Sequence, residues 1–216
     1  MKKLLRGSLR ATMLRMTLLP LLSLGIVITI FSAQSFSRGI QGEVKSGLKN
    51  LALSVKYAYD IAYPGDYVLM GTEELYLKKG DALISGDYEI VDKIKEETGV
   101  EVTLFYYDAR IVTTLKDEQG NRQIGTGAHA LIVRDVLEAK EEHFFNSVQI
   151  AGVEYFAYYT PIFNSDGSIA GMIGVAKTVE NVKQVVLKSL LPILISALFL
   201  MILTAFISIR FTDKLV

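Results

Sequence analysis

The chain has 216 residues, half of them hydrophobic, with 23 Lys/Arg balanced by 23 Asp/Glu and no cysteine. The length suits one or two domains, and the missing thiols exclude disulfides, thiolate catalysis and cysteine-held metals. Zero net charge conceals a segregation: Lys2, Lys3, Arg6, Arg10 and Arg15 precede any acid, whereas Arg38 to Lys188 holds 16 Lys/Arg against 22 Asp/Glu.

The first element is an uncharged run, Met16 to Ser37, of 22 residues. As a helix it spans about 33 Å, enough to cross a bilayer. The cations ahead of it place residues 1–15 in the cytoplasm by the positive-inside rule. Ala33-Gln34-Ser35 would pass as a signal-peptidase site, but the apolar core is longer than a signal h-region. From Gly39 to Ala62, Ile40, Val44, Leu48, Leu51, Val55, Ala58 and Ala62 recur at three- and four-residue intervals. The spacing predicts an amphipathic helix, packed on its own domain or along a parallel neighbour as a dimer seam. Tyr63-Pro64-Gly65-Asp66 stops it.

Short strands are predicted at Tyr67 to Met70 and Glu74 to Leu77, followed by a turn at Lys79-Gly80-Asp81. Asp87 opens a short helix that Gly99 ends. Val100 to Asp108 alternates as a strand and returns, through Asp108-Ala109, as Arg110 to Leu115. Asp117 to Gly120 turns the chain, and a helix is predicted over roughly Ala128 to Ala139. Strands His143 to Ile150 and Val153 to Phe163 meet at Ala151-Gly152, and Asn164 to Gly167 turns into a last strand, Ile169 to Ala176. A helix from Val179 leads into the second uncharged run, Ser189 to Ile209, 21 residues closed by Arg210 and Lys214. Pro20 and Pro192 each lie near the start of a span, where a missing donor costs least.

The expected organisation is a cytoplasmic terminus over residues 1–15, a span over 16–37, an extracytoplasmic domain over 38–188, a second span over 189–209, and a cytoplasmic linker start over 210–216. Both termini are then cytoplasmic, in a cell membrane crossed twice. The last seven residues suit the opening of a HAMP-type linker, and the chain reads as a fragment whose output lies elsewhere.

Four ordered motifs fall within the outer segment: T-x-F-x-x-D-x-R-x-x-T from Thr103 to Thr113, G-x-R-x-x-G-T from Gly120 to Thr126, G-x-x-Y-x-x-x-Y-x-P from Gly152 to Pro161, and D-G-x-x-x-G-M from Asp166 to Met172. With Gly65-Asp66 they resemble the single-Cache family of bacterial extracytoplasmic sensors, over about Gly65 to Lys177. The resemblance implies an α+β fold with a PAS-like antiparallel sheet behind a long N-terminal helix, binding small molecules, often organic acids, between the sheet and its covering loops. It departs from the family pattern at Glu141 and Asn146, where glycines are expected.

Arg110 matches the family's arginine, and its forked guanidinium suits a carboxylate; the competing role is a structural pair with Asp108 or another sheet neighbour. Thr103 and Thr113 offer hydroxyls or are ordinary strand residues. Tyr155 and Tyr159 share a face and either close an aromatic pocket or fill the core. Arg122 sits in a glycine turn as a solvated or loop-holding residue, and His129 reads as a lone surface histidine with a possible pH role. No nucleophile elbow, phosphate loop or metal-spaced histidine pair occurs in the sequence, so neither catalysis nor a cofactor is expected. The leading expectation is the sensory input of a methyl-accepting chemotaxis receptor, homodimeric, with a small carboxylate ligand and no nucleic-acid partner. A histidine kinase or diguanylate cyclase input is the alternative, and a membrane-tethered structural or partner-binding domain is the alternative of another class.

Overall fold

A computed structural model describes residues 2–71 and 76–215 of the protein. It divides into two units, Met1–Ile40 with Lys183–Val216, and Gln41–Val182. Helix α1 (Lys2–Ala62) and the C-terminal helix (Val179–Leu215) supply the first unit. Within them Leu19–Ala62 and Val179–Phe211 contain stretches long and apolar enough to cross a membrane. Large apolar side chains such as Phe31 and Phe199 stand exposed along both. Pro20 and Pro192 lie inside these helices rather than at their starts. The Lys-, Leu- and Arg-rich leader forms helix readily, so α1 begins well ahead of Pro20.

In the second unit α1 ends where expected, at Ala62, before Pro64. Its buried positions are Leu48, Ala52, Val55 and Tyr59. The predicted stripe is therefore turned slightly: Leu51 and Ala58 are half-buried and Ala62 is exposed. Next come β1 (Tyr67–Met70), β2 (Tyr76–Lys79) and β3 (Ala82–Leu83), an antiparallel three-stranded sheet. Glu74 and Leu75, predicted to open the second strand, lie outside the described residues. Asp87 accepts the amide of Glu89 at the start of α2 (Glu89–Thr98), and Gly99 caps its end in the left-handed conformation, φ 66°. Both signals were legible in the sequence.

The main sheet holds β4 (Glu101–Tyr106), β5 (Ala109–Thr113), β6 (His143–Ile150), β7 (Val153–Phe163) and β8 (Ile169–Thr178), in the spatial order β5-β4-β8-β7-β6, all antiparallel. Tyr106 pairs with Ala109, so the β4–β5 turn is Tyr107-Asp108, one residue earlier than predicted. Tyr107 carries it at φ 49°. Both faces of the sheet are covered. Lys45 lies over the Phe144 ring and Lys49 pairs with Glu142, which sets α1 on the face of Phe156 and Tyr158. The other face carries Phe105, Tyr155, Ala157, Tyr159, Met172 and Ala176 in one apolar cluster with Ile132, Val136 and Leu137. Those last three come from a single α-turn, α3 (Ala130–Ile132), which continues as a π-helical segment, Val133–Glu138. The predicted helix is thus present but widened.

The β6–β7 hairpin turns at Ala151-Gly152 as predicted, with φ of 50° and 79°. An L-residue is strained at the first of these positions, and hairpins of this type favour Asn-Gly. Ala151→Asn is expected to raise the unfolding free energy by up to about 1 kcal/mol, readable as a higher urea midpoint; a lower midpoint would contradict the turn.

Candidate ligand-binding site

Register across the main sheet assembles the site. Thr113 on β5 lies opposite Thr103 on β4, Thr103 opposite Gly174 on β8, and Gly174 opposite Tyr159 on β7. Strand alternation sets these residues on the face covered by α3 and its π-helical continuation. Arg110 enters beside them because it pairs with Phe105, two residues along β4 from Thr103. A small cavity of about 10 Å³ is lined by Glu101, Thr103, Phe105, Arg110, Tyr159 and Gly174, among others. That is about the room of one water.

Arg110 is only 6% exposed. Its Nη1 donates to Thr126 Oγ1 at 2.6 Å and to the Gly127 carbonyl at 3.2 Å, while Nε, also buried, has no partner. Among the described residues it makes no ion pair, with Asp108 or any other carboxylate. Its guanidinium lies 5.3 Å from the Phe105 ring centroid, a cation–π contact. Burial pushes the Arg110 pKa down, against the opposing pull of Tyr159. Tyr159 is pushed up to about 12 by burial, with Arg110 working in the other direction. A buried, unneutralised guanidinium is costly unless an anion joins it.

The loop that holds Arg110 is the one with the second glycine motif. Arg110 N donates to Thr126 O at 3.0 Å and Gly125 N to Arg110 O at 2.8 Å, so residues 125–127 run along the edge of β5. Thr126 Oγ1 accepts from Arg110 and donates to Gln123 O at 2.9 Å. Arg122 anchors the loop's other end. Its two Nη atoms reach Asp92 at 2.8 and 2.6 Å, Nη1 also meets Thr113 O at 2.7 Å, and the group stacks 3.9 Å from the Tyr88 centroid. This is the loop-holding role. Arg122→Ala is expected to cost about 1.5 to 3 kcal/mol of stability, the range for hydrogen bonds to charged groups. Ligand affinity should change far less than melting temperature; a loss confined to affinity would move Arg122 into the site.

Arg110, Thr103 and Tyr159 are therefore brought together, whereas Thr113 and Tyr155 stand beside the cavity. The Thr103 and Thr113 hydroxyls share a hydrogen bond of 2.7 Å, and Thr113 Oγ1 also accepts from Leu115 N. Tyr155 belongs to the apolar cluster, its phenol pushed up by burial and then by Glu101. His129 accepts the Leu131 amide at the start of α3 and is exposed. Sequence reasoning missed Glu101, Thr126, Phe105 and Gly174. A side chain on Gly174 would come within 2.5 Å of the Tyr159 ring, so its absence admits that ring to the cavity. Thr126 was visible as the last residue of its motif.

A long helix, an antiparallel five-stranded sheet and a short helix packed on its other face define a PAS-like sensor domain. Residues 82–189, half of the chain, match the family model described as Single cache domain 3, and the protein belongs to that family. No curated relative matches the chain. Among solved structures, it is similar to the ligand-binding domain of the Campylobacter jejuni chemoreceptor Tlp3. For the complex with L-valine the identity is 14% and the TM-score 0.35, over 84% of this chain and 66% of that one. For the complex with L-norvaline they are 15% and 0.25, over 83% and 63%. The chain thus spans slightly under two thirds of each, and at these TM-scores neither likeness bears on ligand or assembly.

Proposed function

We propose that residues 38–188 are the extracytoplasmic sensing domain of a two-span receptor of the chemotaxis class, and that the ligand is a small carboxylate held by Arg110. The observation that carries this is the buried Arg110 guanidinium, which has a neutral cradle and no carboxylate. Such a group offers two parallel donors to a carboxylate in a dry site. Thr103 and Tyr159 supply hydroxyls along the same wall, with Thr113 and Tyr155 behind them. The role is binding, without a reaction.

The cavity admits one water, so an organic acid enters only when its apolar lining, Leu115 and Ile150, and the layer of Ile132, Val136 and Leu137 in the same cluster draw back from the sheet. The π-helical geometry of this layer suits movement, because its i→i−5 bonds (Ala139 N to Arg134 O, 3.1 Å; Glu141 N to Val136 O, 3.2 Å) are poorer than α-helical ones. Output runs through β8, which lends Gly174 and Ala176 to the cavity and passes at Thr178 straight into the C-terminal helix. A coupling of about 1 to 3 kcal/mol between ligand and helix position is enough for signalling. The spans over 16–37 and 189–209 put both termini in the cytoplasm, as the leader's charges favour. Tyr57 and Ile61, 61% and 83% exposed one turn apart on α1, support a homodimer joined through that helix.

The test is a thermal-shift panel of small mono- and dicarboxylic acids on the full chain in nanodiscs. A true ligand at a hundred times its dissociation constant stabilises by about 2.7 kcal/mol. If no acid moves the transition, the carboxylate reading is wrong.

A further inference from the structure

The face of the main sheet turned toward α1 carries a second and larger cavity. Strand alternation puts Val102 and Leu104 of β4 and Val175 and Lys177 of β8 on this face, opposite the residues that line the Arg110 cavity. Helix α1 is buried at Ala52, Val55 and Tyr59, but about a turn earlier the contact opens. Gly47 is exposed, a Cβ there would meet nothing within 4 Å, and Leu51 is only half-buried. The gap is a cavity of about 380 Å³, lined by Val44, Gly47, Leu48 and Leu51 of α1, Val100 ahead of β4 and Lys177 of β8. It falls in the range of about 300 to 1,000 Å³ usual for small-molecule sites.

The lining decides what fits. Its apolar part suits an apolar body, and its polar part is small: the Thr98 hydroxyl donates to Ile94 O at 2.6 Å and accepts from Val100 N at 3.2 Å, which leaves Lys177 and Glu43. Among the described residues neither of these forms an ion pair. Glu43 is exposed on the first turns of α1 in this unit, whereas Lys177 is half-buried beside the apolar wall. Partly buried charges are screened less than exposed ones, so the ammonium is the stronger anchor. It is a point charge without Arg110's planar fork, and so sets no demand for a planar head group. A second anionic group on the ligand would meet Glu43 as a like charge.

We propose that this cavity is a second ligand site, for an amphiphilic monoanion whose head group pairs with Lys177 and whose alkyl or aryl body lies against Leu48, Leu51 and Val100. It is independent of what Arg110 binds. Lys177 is followed by Thr178, where β8 passes into the C-terminal helix, so an occupant sits between α1 and the strand that feeds that helix. Its effect falls on the signal's route beyond the first cavity.

Calorimetric titration of the full chain in nanodiscs, with empty nanodiscs as the blank, tests this with hexanesulfonate and toluene-4-sulfonate against their neutral sulfonamides. At least one sulfonate is expected to bind about tenfold or more tightly than its amide. Lys177→Met should bring that ratio close to one. Gly47→Leu fills the gap with a better helix former, so it should raise the melting temperature while abolishing the binding of both members of the pair. Arg110→Met should leave sulfonate affinity unchanged. If Arg110→Met abolishes it and the Lys177 and Gly47 variants do not, the sulfonates occupy the first cavity: the second site falls and the anion reading of Arg110 stands. Equal affinity for sulfonate and sulfonamide, or no binding of either, also overturns the second site and leaves Arg110 untouched. If the sulfonates do not bind and Gly47→Leu changes the sedimentation of the chain, the cavity belongs to a second copy and the proposal falls.

Discussion

Arg110→Met is expected to abolish carboxylate binding while leaving the unliganded domain as stable as the parent, or more so. Two costs separate the outcomes. With ligand present, removing one partner of a buried, hydrogen-bonded charge pair costs about 2 to 5 kcal/mol, or roughly 30- to 4,000-fold in affinity. Without ligand, the substitution removes a buried guanidinium whose Nε has no partner and whose charge nothing balances. Replacing buried ionic groups by apolar ones of similar volume is often neutral or stabilising. Methionine also keeps a flexible apolar stem over the Phe105 ring. The loss falls on Thr126 and Gly127, which give up their Arg110 bonds, but Thr126 keeps its bond to Gln123. Calorimetry gives the affinity, and urea unfolding of the same preparation gives the stability. A lower unfolding midpoint with unchanged affinity would make Arg110 a structural residue and remove the carboxylate reading.

The sequence shows the frame of this domain more clearly than its site. Gly99 caps a helix and Gly120, Gly152 and Gly167 sit in turns because each adopts a positive φ, a local demand that a local signal reports. Period-two and helical patterns likewise place the end of α1 and strands β4, β7 and β8 within a few residues of where they lie. What escaped depends on partners distant in the chain. Strand β3 is two residues long and exists only through its pairing with β2. The widened turn after α3 depends on how its carbonyls meet amides five residues on, which a hydrophobic period does not record. The turn at Tyr107-Asp108 was misplaced because a tyrosine takes the left-handed position that a sequence reader assigns to glycine or asparagine.

For the site the obstacle is different. Both faces of the main sheet are buried, so the alternation Val102, Leu104 against Thr103, Phe105 does not say which face meets the ligand. Arg110 was legible as a candidate, and Arg122 is spent on Asp92 and Tyr88. Glu101 was not legible, because only the register of four strands sets it on the same wall.

Gly171→Ala should be the most damaging single-methyl change in the sheet. Gly171 lies on β8 between Tyr106 of β4 and Ile162 of β7. A Cβ there would fall 2.0 Å from the Phe105 carbonyl oxygen and 2.9 Å from the Tyr107 amide nitrogen. Both obstacles are backbone, so no rotamer change relieves them; β4 must move away from β8. Overpacking of a tight core costs about 1 to 3 kcal/mol, more where the backbone must shift. We expect about 3 kcal/mol or more, a fall in melting temperature of roughly 6 to 12 °C for a chain of this size. Gly152→Ala provides the contrast, because that position has open space and only its φ of 79° to oppose a side chain; about 1 to 2 kcal/mol is expected there. The Gly171 effect should also reach ligand affinity, since the displaced segment carries Phe105, over which Arg110 is stacked. If both variants melt alike, the close approach of β4 and β8 is slack, and the irregularities at Leu104/Phe105 and Ile162/Phe163 absorb the methyl. In that case β8 would not transmit a small displacement at the cavity into the helix that follows Thr178, so a melting experiment on Gly171 also tests the proposed route of the signal.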